Sequence, residues 1–320
     1  MISRFYFTGI KPTLRLYKHF GFYLPTRLLW YIILKIVYHT PEHARIYNEK
    51  KHLLIEHWLM KRYGFVLNKK VPDSNEPYNP DNAPIWVFWW DGFDRAPDLV
   101  KKCLSYMQSN RKKHPIIMID KNNFSNYVTI PDYIIKKVKK NEITLTHFSD
   151  ILRVNLLYEK GGLWADSTVF FAKEISSEIF TREFFSIRIK SLNNFSVTDY
   201  QWSGFFIATP SKTQLMYFMK EFFNEYWKAE SGLVDDLLID YFFDIIRKKN
   251  EHVYQLFSNL PYSNSKLYSL ISCMNNQYDA SRWKEMTRDT SFFKLSWKQN
   301  FIEKNENQNT FYGRFMEGLL

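Results

Sequence analysis

The 320-residue sequence predicts an α/β fold built on a Rossmann-like mixed sheet, preceded by a helical N-terminal extension. Three observations predict it. A hydrophobic fraction of 45% with 18% aromatic residues excludes a disordered chain. From residue 85 onward, short apolar runs alternate with amphipathic stretches, the rhythm of strand followed by helix. Ahead of them, VPDSNEPYNPDNAP (71–84) places four prolines among turn-forming residues and reads as a linker or surface loop. The chain therefore divides into a helical segment (1–83), an α/β domain (84–303) and a C-terminal tail (304–320), of which 304–309 reads as mobile.

The N-terminal segment contains FGFYLPTRLLWYIILKIVYH (20–39), broken by Pro25, Arg27 and Lys35. Its longest uncharged run, Leu28 to Leu34, falls far short of the roughly 20 apolar residues that span a bilayer. No small-residue cleavage site follows, so it does not read as a secretory signal. Arg4, Lys11, Arg15, Lys18, Arg27 and Lys35 interleave with Phe5, Tyr6, Phe7, Leu16, Tyr17, Phe20, Trp30 and Tyr31. That mixture suits either a helix lying in an anionic membrane interface or a buried helix.

In the α/β domain, IWVFWW (85–90) reads as a buried strand closed by Asp91-Gly92, and HPIIMID (114–120) as a second buried strand. Helices are expected over Pro97–Ser109, 131–140, 147–159, Lys212–Lys228 and Leu233–Lys249. Further strands are expected over Leu163–Phe171, Phe184–Ile189 and Ser203–Thr209. Beyond Glu251 the pattern weakens.

A formal net charge of +11 calls for an anionic partner or serves solubility. The basic residues are scattered, with no zinc-finger or RNA-binding signature, which disfavours nucleic acid and leaves a phosphorylated substrate or a membrane face. Cys103 and Cys273 match no metal or disulfide spacing and suit a reducing compartment.

The chemistry concentrates in FSDILRVNLLYEKGGLWADSTVFF (148–171). Asp150 and Arg153 share a helix face, as a surface ion pair or as a binding pair. Gly161 suits the left-handed position past a helix end, and Gly162 a sharp turn into a strand. That strand carries Asp166 toward the carboxyl end of the sheet, where open α/β folds bind ligands. Flanked by Ser167 and Thr168, the carboxylate there could hold a hard divalent cation beneath a diphosphate leaving group.

SDILRVNLLYEKGGLWADST (149–168) resembles the sugar-binding region of DXD-type glycosyltransferases. With IWVFWWDG (85–92), the closer resemblance is to bacterial capsular polysaccharide synthesis proteins, over about residues 84–300. The resemblance implies a GT-A fold, a nucleotide-sugar donor such as a UDP-sugar, and Mn2+ or Mg2+ at Asp166 and Thr168. It assigns donor contacts to Asp150, Arg153, Gly161, Gly162, Asp166 and Thr168, with Trp89 or Trp86 stacking on the base or else packing in the core. Thr168 stands where the family pattern has a second acid, which weakens the metal site. FFKLSWK (292–298) resembles a late family segment, and Lys294 and Lys298 would clamp the diphosphate. Related folds often place a metal-binding histidine there, and the sequence has none after His252.

On the acceptor side, YQWSGFFIATP (200–210) suggests Trp202 and Ser203, and GLVDDLLIDYFFDI (232–245) suggests Asp235. Asp236 and Asp240, four apart on the expected helix, are candidate bases, or members of a solvated acidic face. His147 reads as a structural hydrogen-bond donor. Relatives mostly retain anomeric configuration; were this chain to invert it, Asp235, Asp236 or Asp240 is the natural base. The expected function is hexose transfer to a lipid-linked saccharide at the cytoplasmic face of the membrane. The alternatives are a non-enzymatic basic module for anionic lipid or nucleic acid, and a toxin-like protein glycosyltransferase.

Overall fold

A computed structural model describes residues 10–38, 40–74, 77–190 and 196–320. Arg4, Phe5, Tyr6 and Phe7 of the proposed interfacial segment lie outside these residues. Three helices open the described chain: α1 (Lys11–Phe20), α2 (Tyr23–Val37) and α3 (Pro41–Tyr63). Thr40 starts α3 by accepting the His43 N–H on its hydroxyl at 3.2 Å, with Pro41 at the first helical position, where its missing N–H costs nothing. Ile55, Leu59 and Tyr63 of α3 are buried in the same hydrophobic cluster as the α/β body, and the Tyr63 hydroxyl donates to Glu230 at 2.6 Å. The extension is thus helical and shares the main core.

The α/β body follows in the order β1 (Ile85–Phe88), α4 (Asp98–Asn110), β2 (Ile116–Ile119), α5 (Asp132–Lys139), α6 (Leu145–Lys160), β3 (Gly162–Ala165), β4 (Val169–Phe171), α7 (Glu178–Thr181), β5 (Phe185–Ser186), β6 (Phe206–Thr209), α8 (Gln214–Ala229) and α9 (Leu238–Lys249). Then come α10 (Glu251–Ser258), α11 (Ser269–Cys273), α12 (Ala280–Thr287), β7 (Phe292–Lys294), a two-stranded hairpin of β8 (Lys304–Asn305) and β9 (Gln308–Asn309), and α13 (Phe311–Glu317). The main sheet runs β2-β1-β3-β6-β5; β2, β1 and β3 are parallel, while β6 is antiparallel to β3 and β5.

Strand periodicity separates two cores across this sheet. Trp86, Phe88, Trp164 and Ile207 enter one cluster, and Ile85, Val87, Leu163, Ala165, Phe206 and Ala208 enter the other. Helix α6 packs in the first cluster with most of its surface covered, Asp150 and Arg153 included. That burial settles the surface-pair alternative, because a surface helix would leave both in water.

Four expectations change. Residues 163–171 are not one strand: β3 stops at Ala165, a turn closed by Val169 N–H to Asp166 O (2.9 Å) follows, and β4 pairs with β7 in a separate sheet. β2 is an edge strand, with Met118 44% exposed, so continuous apolarity there does not mean burial on both faces. α9 begins at Leu238, since residues 231–237 form bends and turns, and Asp236 therefore lies off the helix that carries Asp240. Residues 304–317 are structured, and Phe311 and Phe315 are fully buried in a third cluster with Phe170 and Phe293.

Candidate active site

The double glycine is a backbone requirement. Gly161 and Gly162 adopt φ of +65° and +97°, and a Cβ on either would approach backbone closely: Ser211 N at 2.6 Å for Gly161 and Pro84 O at 2.4 Å for Gly162. Only glycine satisfies both conditions. The pair sits at the opposite end of β3 from Asp166, about 13 Å away at roughly 3.3 Å per residue. Neither glycine lines the candidate site, contrary to the expected donor contact; their role is to pass the chain from α6 into β3.

At the other end of β3, four charged side chains from three elements converge. The N–H of Asp166 bonds to Phe205 O at 2.9 Å, which fixes the start of the turn. Its Oδ1 accepts from Arg153 Nη2 at 3.1 Å and from the Trp164 indole at 2.9 Å. Its Oδ2 accepts from Lys294 Nζ at 2.8 Å, and the same ammonium donates to Thr168 Oγ1 at 2.8 Å. Arg153 also pairs with Asp150 at 3.2 Å, donates to Gly204 O, and lies over the Trp164 ring, 5.0 Å from its centroid. Burial pushes the Asp166 carboxyl up, but Lys294 and then Arg153 outweigh it and hold the group below the usual carboxylate range.

Asp150 faces His147. The Trp227 indole donates to His147 Nε2 at 3.0 Å, so the neutral ring carries its proton on Nδ1, 3.6 Å from Asp150 Oδ2. The ring accepts on Nε2 and its Nδ1 has no hydrogen-bond partner among the described residues, so the expected donor role is not seen. Asp240 completes the group: a Cβ at Gly204 would stand 3.4 Å from Arg153 Nη1 and 3.7 Å from Asp240 Oδ1. Burial pushes the Asp240 carboxyl up to about 7, opposed by the Trp202 indole bonded to it at 2.9 Å and reinforced by nearby Asp150. A carboxyl at that value takes or gives a proton near neutral pH.

Several expected residues fall elsewhere. Trp86 is 2% exposed and donates its indole N–H to Gly161 O at 2.8 Å, so it packs and cannot stack on a base. Trp202, 2% exposed, serves Asp240, and the Ser203 hydroxyl is spent on Ile187 O at 3.0 Å; neither lines an open acceptor pocket. Asp235 pairs with Lys51 at 2.6 Å and, with exposed Asp236, lines a groove of about 880 Å³ against the N-terminal helices. Of the three candidate bases, Asp240 alone joins the Asp166 cluster. Lys298 is exposed beside Trp297. Trp89 is partly exposed and meets Trp297 edge to face, with centroids 5.7 Å apart.

Asp166 and Thr168 were the expected metal ligands, and the donor set does not fit a divalent cation. Both Asp166 oxygens and the Thr168 hydroxyl already accept protein N–H groups, and one ammonium bridges the two residues. No group of three or more His, Cys, Asp or Glu among the described residues could hold a metal ion.

Sequence reasoning missed Trp164, Trp297 and the Gly204 carbonyl. Trp164 was findable, since it lies two residues before Asp166 and shares its side of the strand. Trp297 carried no local signal, being 208 positions from Trp89.

The fold and site define an α/β protein with a partly buried charged cluster at the end of a central strand. Residues 36–315 match the capsular polysaccharide synthesis protein family, and the chain belongs to it. That span extends beyond the sequence resemblance at both ends. No curated protein matches. Among solved structures, PaToxG Glycosyltransferase is similar at 14% identity with a TM-score of 0.38, covering 76% of this chain and 94% of that one, a likeness too distant to bear on chemistry.

Proposed function

We propose that this chain is a GT-A-type glycosyltransferase that moves a hexose from a nucleotide diphosphate sugar, in the first instance a UDP-sugar, to a lipid-linked saccharide acceptor. The supporting observation is the Asp150–Arg153–Asp166–Lys294 network, its first two members buried and its last two half-buried, in a member of this family. Two charges are buried there and two more are half-buried beside them, a costly arrangement that well-packed apolar residues of similar volume often replace without loss of stability. Polar groups converging at a strand end are suited to fixing sugar hydroxyls and phosphates.

In the reaction, an acceptor hydroxyl oxygen bonds to the anomeric carbon while that carbon's bond to the diphosphate oxygen breaks. Lys294 and Lys298 meet the charge left on the diphosphate, and Asp150 and Arg153 hold the sugar. The resemblance implies retention, in which the departing phosphate receives the acceptor proton. Asp240 supplies a base for the inverting route, and the anomeric configuration of the product decides between them. Trp89 with Trp297 offers aromatic surface to the nucleobase.

Membrane placement is part of the proposal. No helix among the described residues is long and apolar enough to cross a bilayer. The aromatic side of α2, with exposed Arg15, Lys18 and Arg27 nearby, suits peripheral binding at an anionic cytoplasmic face.

The test is a panel of nucleotide sugars incubated with purified protein, with release of the free nucleotide measured. Release from one donor, lost in Arg153→Met, is expected. Failure to bind or hydrolyse any donor in the panel would sink the transferase reading.

A further inference from the structure

We propose that Lys294 occupies the position of the divalent cation beneath the donor diphosphate, so that this chain binds its nucleotide without a metal. The inference rests on the transferase reading and concerns the same site. Its observation is the bridge: a single ammonium lies 2.8 Å from Asp166 Oδ2 and 2.8 Å from Thr168 Oγ1, joining the two residues that would otherwise coordinate an ion.

Three features make the bridge a property of the fold. Strand pairing fixes Lys294, since Val169 of β4 faces it in register and its own N–H bonds to Leu267 O at 2.9 Å. Its backbone is therefore held beside the turn, within reach of both oxygens, for as long as β7 stays paired with β4. Secondly, Asp166 has little spare capacity, because Oδ1 is filled by Arg153 and Trp164 and Oδ2 already accepts from Lys294, which leaves a single lone pair. A hard divalent ion asks for about six oxygen ligands, whereas an ammonium is satisfied by three acceptors. Thirdly, the lysine is only partly buried, at 21% side-chain exposure, and among the described residues two oxygens use two of its three N–H donors. The third has no oxygen acceptor among the described residues, the ammonium otherwise lying 4.9 Å from the Phe205 ring centroid, and on this proposal a phosphate oxygen takes it.

Chemically, the substitution replaces a doubly charged Lewis acid with a singly charged hydrogen-bond donor. Arg153 adds a second cation beside Asp166, its charge shared with Asp150. Thr168 fits the same logic. A second acid at that position would neutralise the ammonium that the diphosphate needs, whereas a hydroxyl orients the lysine without cancelling its charge.

Calorimetric titration of the full chain with UDP, and with GDP and dTDP in parallel, tests this in EDTA and in Mn2+. One nucleotide is expected to bind in EDTA with an affinity within about twofold of that in Mn2+. Lys294→Met is expected to weaken it about tenfold or more in EDTA, the loss of one charge-assisted phosphate contact. Nucleotide binding that disappears in EDTA and returns with Mn2+ would overturn this inference while sparing the transferase reading. No binding to any nucleotide in either condition overturns both. Should Lys294→Met fail to fold, Mn2+ electron paramagnetic resonance on the wild-type chain decides. An unshifted spectrum of the free ion, with and without nucleotide, supports the inference, and a bound-ion spectrum abolished in Asp166→Asn overturns it.

Discussion

Asp240 and Asp166 sit in one cluster and are pushed in opposite directions. Asp166 has two cations against it and keeps its charge. Its stabilising contribution is present above the ordinary carboxylate range and is lost as pH falls through its depressed value. Among the described residues Asp240 has an indole N–H bonded to it and no cation, and burial raises it to about 7 from 3.8. Ionising it therefore costs stability: the penalty is absent below about pH 4, grows toward pH 7 and is complete above, on the order of 4 kcal/mol. Thermal unfolding between about pH 5 and pH 8 is expected to show Asp240→Asn gaining on the wild type as pH rises. If Asp240 is the base, kcat of the wild type rises with pH and levels off above about 7. The Asn variant would then lose that limb and about 100-fold or more in kcat, the scale of general-base catalysis. An unchanged pH profile would remove Asp240 from the chemistry.

Elements place these residues, and their boundaries matter more than their existence. The break of 163–171 into β3, a turn and β4 puts Asp166 and Thr168 on a bend instead of a strand, which is why a single ammonium reaches both. Helix α2 shows a different consequence of spacing. Tyr23, Trp30, Ile33 and Val37 follow one another at intervals of seven, three and four, so they lie along one side of the helix, and all are exposed. Arg27 stands beside them, exposed as well. Cosedimentation with vesicles containing anionic phospholipid is expected to retain the protein, with binding falling as salt rises. A Trp30→Ser, Val37→Ser variant should bind several-fold more weakly, because each apolar group removed loses about 1 kcal/mol or more of interfacial burial. Equal recovery of wild type and variant would separate α2 from the membrane.

Across the whole molecule, the charged cluster is held by segments far apart in the chain. α6, the β3–β4 turn, β7 and α9 each contribute one or two side chains, and three hydrophobic clusters lock these segments together. The third cluster joins β4 and β7 to the C-terminal helix α13. Deleting residues 304–320 removes Phe311 and Phe315 from it, and each buried phenylalanine is worth about 3 kcal/mol or more. Urea unfolding of the truncated chain is expected to show a lower midpoint or no cooperative transition. Nucleotide binding should weaken with it, since Lys294 depends on β7. A truncated protein as stable as the full chain would show that the tail is not part of this core.

What the sequence determined by itself was local. The alternation of strand and helix, the glycine pair between α6 and β3, and the one-turn spacing of Asp150 and Arg153 follow from backbone geometry and side-chain period over a few residues. Burial of that pair, the position of Asp240 beside the cluster with Asp235 and Asp236 away from it, the meeting of Trp89 with Trp297, and the seat of Lys294 between Asp166 and Thr168 were decided only by tertiary structure. Apart from the burial of a pair three residues apart, these are contacts between residues tens to hundreds of positions apart, set by strand pairing and core packing, and no nearby pattern encodes them. Local order could therefore present Asp166 and Thr168 as an incomplete metal site, and only the pairing of β4 with β7 shows the lysine whose ammonium bridges them.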